Sequence, residues 1–171
     1  LRTDGAQGSG GAVAQVHWTA SQLRRQLAEL SHEVQLLEDQ DEIEKLQRIY
    51  GYYIDKGLWS QAADLFADAG EVDIAGRGGY VGKAHVLAYL QAIGPQGPVA
   101  GRLYDNMQLQ PIVHVSADGA SARGRWHLFA QLAQAGKFHE WGVGVYENEY
   151  VKRDGKWLIR RLPFYPTFYT P

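Results

Sequence analysis

The chain has 171 residues, 45% of them hydrophobic and 21% charged, and its 17 basic and 19 acidic side chains leave a formal charge of −2. That is the material of one ordinary domain, and without a basic run it lacks the electrostatic footprint that a phosphate backbone or anionic lipid requires, so no nucleic-acid or membrane partner is expected. With no cysteine, disulfides, thiolate nucleophiles and sulfur metal sites are excluded together, leaving any chemistry to oxygen and nitrogen groups.

Residues 1–14, LRTDGAQGSGGAVA, are Gly-rich and poor in large apolar side chains. They predict a disordered tail, taken to run to residue 19. Ala12-Val13-Ala14 has the small residues of a cleavage site, but no apolar segment precedes it. The cytoplasm is the favoured compartment, with the periplasm the alternative if a leader has been removed ahead of residue 1.

From Ser21 the pattern changes. Leu23, Leu27, Leu30, Val34 and Leu37 step by 4, 3, 4 and 3 residues, which draws one apolar seam along a helix over residues 20–38, an oligomer or packing contact. Continuing the seam lands on Asp41 and Glu44, whereas Ile43, Leu46, Ile49, Tyr50 and Tyr53 run in a shifted phase. Two helical segments hinged at Asp39-Gln40-Asp41 are therefore expected, the second closed by Gly57 as a C-cap. A third short helix is predicted over Leu58–Ala67, then a strand over Glu71–Ala75, a turn at Gly76–Gly79 and a helix over Lys83–Ile93. Gly94-Pro95-Gln96-Gly97-Pro98 stops that helix.

The remainder alternates like sheet. Strands are expected at Leu103–Val115, Ser121–Leu132, Phe138–Val151 and Trp157–Leu162, joined by tight turns at Asp118-Gly119, Ala135-Gly136 and Asp154-Gly155. Helices followed by a meander predict an α+β fold.

Two-residue turns at the first two sites pair residues whose numbers sum to 237 and 271. One face then carries Asp105, Met107, Leu109, Trp126, Leu128, His139 and Trp141 and is the apolar one. The other carries Tyr104, Asn106, Gln108, His114, Arg123, Arg125, His127, Tyr146 and Asn148. A carboxylate on a covered apolar face has its pKa raised by desolvation, which makes Asp105 a candidate general base. Tyr50 and Tyr53 share a helix face with Leu46 and approach the same region. Asp55 lies about 140° around from Tyr50, so it joins them only if the last helical turn unwinds toward Gly57.

Other constellations carry less. The six histidines include no helical HxxxH pair, so no metal site is expected. Gly76–Gly79 lacks the lysine and glycine spacing of a phosphate loop.

These features together resemble a SnoaL-like domain of the nuclear transport factor superfamily. The resemblance covers residues 38–165 and rests on Glu42-Ile43-Glu44-Lys45-Leu46 leading to Tyr50 and Asp55, Leu58-Trp59 with Asp64-Leu65-Phe66, Tyr80-Val81-Gly82-Lys83, and Gly144-Val145-Tyr146-Glu147-Asn148-Glu149-Tyr150 before Asp154-Gly155-Lys156-Trp157. It implies a cone-shaped, curved mixed sheet covered by three helices over residues 39–171, preceded here by an extra N-terminal helix. It also implies cofactor-free chemistry on polycyclic or aromatic molecules, alongside family members that only bind.

In the scytalone dehydratase and bile acid dehydratase branches, a Tyr and an Asp near the end of the first long helix work with a His at the start of a central strand. Tyr50 and Asp55 match the helix pair, while the His position falls on Asp105 or Asn106, a departure that leaves a carboxylate as the proton carrier. The resemblance extends to family members like the lignin-derived diarylpropane lyases, which expel formaldehyde without a cofactor, though no residue here singles them out.

The expectation is a cofactor-independent lyase on an aromatic or polycyclic substrate. Its catalytic candidates are Tyr50, Asp55, Asp105 and Asn106, and its substrate-binding candidates are Tyr53, Met107, Trp126, His139, Trp141 and Phe168. The alternatives are a non-catalytic hydrophobic-ligand or assembly module and a double-bond isomerase. A homo-oligomer, dimer or trimer, is expected from the helical seam and the polar sheet face.

Overall fold

A computed structural model describes residues 18–171; residues 1–17 of the tail expected over 1–19 lie outside the described residues. The order is α1 (Ala20–Asp55), α2 (Trp59–Asp64), β1 (Phe66–Ile74), β2 (Gly78–Val81), α3 (Lys83–Ile93), β3 (Arg102–Val115), β4 (Ser121–Gln134), β5 (Phe138–Arg153) and β6 (Lys156–Thr170). Among the described residues, those up to Glu33 fall in one unit and Val34–Pro171 in a second.

The α+β reading holds, but α1 corrects the expected hinge: the helix is continuous through Asp39-Gln40-Asp41. No Pro or Gly interrupts the backbone there, so the phase shift marks a change of helix face rather than a break. Leu23, Leu27, Leu30, Val34 and Leu37 are all exposed, while Ile43, Leu46, Tyr50 and Ile54 are buried. The helix ends as predicted on Gly57, whose φ of 62° is the left-handed conformation a C-cap needs. Leu58 N–H donates to Tyr53 O at 2.9 Å and Gly57 N–H to Ile54 O at 3.2 Å, the paired bonds of a Schellman motif.

The third helix is shorter than expected and the first strand longer. Phe66, Val72 and Ile74 alternate inward, so sheet burial captures residues that local propensity assigned to helix and loop.

The six strands form one open, curved sheet in the order β2-β1-β6-β5-β4-β3. It is mixed: β1 and β6 run parallel and every other pair antiparallel. Buried residues of α1, α2 and α3 join one core cluster with Val72, Trp126, Leu128, Tyr146, Tyr150, Ile159 and Leu162. We call this covered surface the inner face.

Two local features overturn the expected assignment of faces. In β3, Leu109 pairs with His127 and Ile112 with Arg125, so Gln110 and Pro111 together oppose Trp126. Pro111 has no N–H for the ladder, and Gln110 takes a φ of 50°, which makes this a β-bulge. The 237 register holds from Val115 to Ile112, then slips by one. Between β4 and β5 the loop has three residues, with Gln134 opposite Phe138, so all pairs sum to 272 instead of 271. Gly136 at φ 71° is the left-handed residue of that loop.

Because side chains alternate across a strand, one slip exchanges the faces. Tyr104, Asn106, Gln108, Tyr146 and Asn148 therefore turn inward. Asp105, Met107, His139 and Trp141, expected on the inner face, turn outward. Phe168 pairs with Val143 and is also on the outer face.

Candidate functional site

The free edge of β3 runs beside the second half of α1. Gln47, Gly51 and Asp55 recur every four residues, one helix face, and meet that edge in turn. Gly51 has no side chain because none fits: a Cβ there would lie 2.8 Å from Gln108 Cγ and 3.1 Å from Asn106 O.

At the end of this stripe Asp55 is half-buried. Its Oδ1 accepts the Asn106 backbone N–H at 2.8 Å and Asn106 Nδ2 at 2.9 Å, and Oδ2 has no partner among the described residues. Burial pushes the Asp55 carboxyl above the ordinary carboxylate value, and the nearby Asp105 charge adds to the rise, while the two Asn106 bonds hold it back. No unwinding of the last turn is needed, since Asp55 is itself the last residue of α1 and reaches the strand directly.

Asp55 lies where two openings meet. A groove of about 240 Å³ is lined on one side by Arg48, Tyr52 and Asp55 and on the other by Asp105, Asn106 and Leu109. A smaller hollow of about 110 Å³ lies between Asp55, Gly57, Pro98, Arg102 and Tyr104. Larger hollows on the outer sheet face are lined by His114, Arg123, Glu149 and their neighbours, where Arg125–Glu147 and Arg160–Glu149 already pair within the chain.

Behind Asp55 the inner face is a wall of phenols. Tyr50 is 4% exposed and meets Phe66 and Tyr146 edge-on, at ring separations of 6.1 and 6.4 Å. Burial drives the Tyr50 and Tyr146 hydroxyls well above the ordinary phenol range, so both stay neutral donors. Tyr89 and Tyr169 are raised for the same reason. The C-terminal strand contributes to this wall because Gly142 and Gly144 leave room for Tyr169 and Phe164 against β5.

The structure therefore brings Asp55 and Asn106 into direct contact, with Tyr50 in the adjoining core and Tyr53 packed against that core. Asp105 reaches the groove from the outer side and is not a carboxylate on a covered apolar face. Trp126 is fully buried and donates its indole N–H to Tyr150 Oη at 3.0 Å. Met107, His139, Trp141 and Phe168 are not on the inner face, but Met107 lines the groove beside Asp105 and Asn106.

Sequence reasoning missed Gln47, Gln108 and Tyr146. The spacing of Gln47, Gly51 and Asp55 and the Gln110-Pro111 pair in mid-strand were the available signals. Among the described residues no group of three or more His, Asp or Glu is placed to hold a metal ion.

A sequence profile described as a SnoaL-like domain matches residues 35–163. A comparison with curated proteins finds no match. Among solved structures, the chain is similar to a provisionally named scytalone dehydratase from Novosphingobium aromaticivorans, at 24% identity and a TM-score of 0.70 over 81% of this chain and 90% of that one. It is also similar to a type 3 hexachlorocyclohexane dehydrochlorinase from Novosphingobium barchaimii, at 22% identity and a TM-score of 0.69 over 81% and 93%. A third is ActVI-ORFA from Streptomyces coelicolor, at 15% identity and a TM-score of 0.64 over 74% and 96%.

Proposed function

The chain belongs to the SnoaL-like domain family, and from that premise we propose that it is a cofactor-independent lyase acting on an aromatic or polycyclic small molecule, with Asp55 as the group that moves the proton. One observation carries the reading: a half-buried carboxylate whose Oδ1 is fixed by two Asn106 donors, leaving Oδ2 free toward a groove and desolvation to raise its proton affinity.

A carboxyl tuned toward neutrality serves as a base in one step and an acid in the next. In a dehydration, Oδ2 takes the proton beside the leaving group, the released electron pair forms the double bond, and the same carboxyl returns the proton to the departing hydroxyl, which leaves as water. The neutral phenols of Tyr50 and Tyr146 form the buried wall behind Asp55 and are not among the residues that line the groove. Expulsion of formaldehyde is the carbon–carbon version: Oδ2 takes the hydroxyl proton, an oxygen electron pair forms the C=O of formaldehyde as the C–C bond breaks, and the carbon left with the electron pair takes the proton back from the carboxyl. The dehydratase and dehydrochlorinase names among the similar structures support elimination as the class.

The test is incubation with a panel of aryl alcohols and diols, with product mass as the readout. A product lighter by water or formaldehyde, lost in Asp55→Asn, supports the reading; unchanged turnover in that variant overturns the role of Asp55. A product of unchanged mass indicates an isomerase.

A binding-only reading is favoured by Asn106, which carries no titratable proton where the resemblance implies an imidazole. Thermal stabilisation by an aromatic ligand with no product supports it. We also propose a homo-oligomer formed through the seam on α1, where Leu27 and Leu37 are 66% and 67% exposed and heptad spacing makes the stripe complementary to a second copy.

A further inference from the structure

A line of polar side chains runs from the core to Asp55, and its direction is fixed at both ends. Trp126 Nε1–H, which can only donate, bonds Tyr150 Oη at 3.0 Å. Tyr150 then donates its own proton to Gln47 Oε1 at 3.0 Å, and Asn148 Nδ2 reaches the same oxygen at 2.7 Å. With its oxygen occupied, Gln47 presents Nε2 to Gln108 Oε1 at 2.9 Å. Gln108 presents Nε2 in turn to Asn106 O at 3.1 Å. Asn106 N–H and Nδ2 end on Asp55 Oδ1, an atom that, when ionised, can only accept.

A donor-only start and an acceptor-only end leave the amides between them one orientation each. The core end of the line is dry, with Trp126 and Gln47 0% exposed and Tyr150 and Asn148 1%, while Gln108 and Asn106 are half-buried at the groove.

We propose that Gln47, eight residues before Asp55 on the same helix face, is a positioning residue for Asp55. It acts through Gln108 to hold both free-edge backbone groups of Asn106 in register with the carboxylate. In a sheet edge these groups would otherwise move with the strand. The relevance of this line to turnover rests on the proposed role of Asp55; the line itself does not.

The experiment is a pH titration of the isotopically labelled full chain by NMR, following the Asp55 carboxyl carbon and the side-chain amides of Asn106, Gln108 and Gln47. In the wild type the three amides shift with the Asp55 midpoint, while the Gln35 amide, bonded to Asp39 instead, does not. In Gln47→Met and Gln108→Leu the Asp55 midpoint rises by roughly half a unit, the scale of one weakened hydrogen bond. In Val113→Ala, a core change outside the line, it stays in place.

A Gln47 amide that ignores Asp55 in the wild type overturns the proposal, as does an unchanged midpoint in either folded variant. If Gln47→Met fails to fold, the wild-type titration and Gln108→Leu still decide. Turnover retained in Asp55→Asn overturns the lyase reading and leaves the titration result standing, so the two failures are distinguishable.

Discussion

Asp55 and Asn106 join the last residue of α1 to the free edge of β3 through a single oxygen, Oδ1, which accepts both the backbone and the side-chain N–H of Asn106. The bonds favour the carboxylate, yet burial outweighs them and the carboxyl lies above its ordinary value. Ionisation therefore opposes folding. The stability tied to protonated Asp55 is fully present below the ordinary carboxylate range and is lost as pH rises through the raised value.

Asp55→Asn keeps an acceptor for Asn106 and removes the charge. The melting temperature of this variant should exceed that of wild type at neutral pH and converge with it in acid, while turnover falls on the order of 10²- to 10⁴-fold. Thermal denaturation across pH 3 to 8, paired with the product assay, reads both. A neutral-pH melting temperature below wild type would contradict the assignment.

Asp39 has the opposite sign. It is 1% exposed, and burial alone would raise it, but bonds from Lys152, Trp157 and Gln35 with the Lys152 charge bring the carboxyl below its ordinary value. Its contribution to stability is present above the ordinary carboxylate range and lost as pH falls through the lowered value. Asp39→Ala leaves Lys152 Nζ and the Trp157 indole N–H without their acceptor, at 2.5 and 3.0 Å in the wild type, and should cost about 3 to 5 kcal/mol in urea unfolding at pH 7. A loss under 1 kcal/mol would mean that water replaces the carboxylate.

Gly144 is required by space rather than by backbone conformation. A Cβ there would sit 2.3 Å from Phe164 Cζ and 2.8 Å from Tyr165 O. Gly144→Ala should therefore destabilise by about 1 to 3 kcal/mol, and Phe164→Leu in the same chain should recover part of the loss. Additive losses in the double variant would show that the backbone contact, not the ring, sets the cost.

The seam on α1 predicts self-association. Leu27→Glu and Leu30→Glu place charge on the stripe and should lower the sedimenting mass while leaving the melting curve of the sheet domain near wild type. A wild-type chain that sediments as a monomer at micromolar concentration removes the basis of this prediction.

The local rules of the chain were enough to determine several parts of this fold. The Schellman end at Gly57 follows from a glycine after an apolar helix. Lys83–Ile93 is bounded as its flanking glycines require, and the alternation of Ala122, Gly124, Trp126 and Leu128 assigns the inner face of β4 from period alone. Tyr50 and Asp55 stood out as chemistry-bearing residues at a helix end.

What only the tertiary structure decided is which β3 residue meets Asp55. The Gln110-Pro111 bulge slips β3 by one position and turns Asn106, not Asp105, toward the helix. The three-residue loop around Gly136 likewise brings Tyr146 inward and sends Trp141 out. A strand's period is two, so one residue of slip exchanges its faces, and that slip is set by pairing between segments rather than within them. The line from Trp126 through Gln47 and Gln108 to Asp55 depends on the same register: its members are distant in sequence and meet only once α1 lies along the edge of β3.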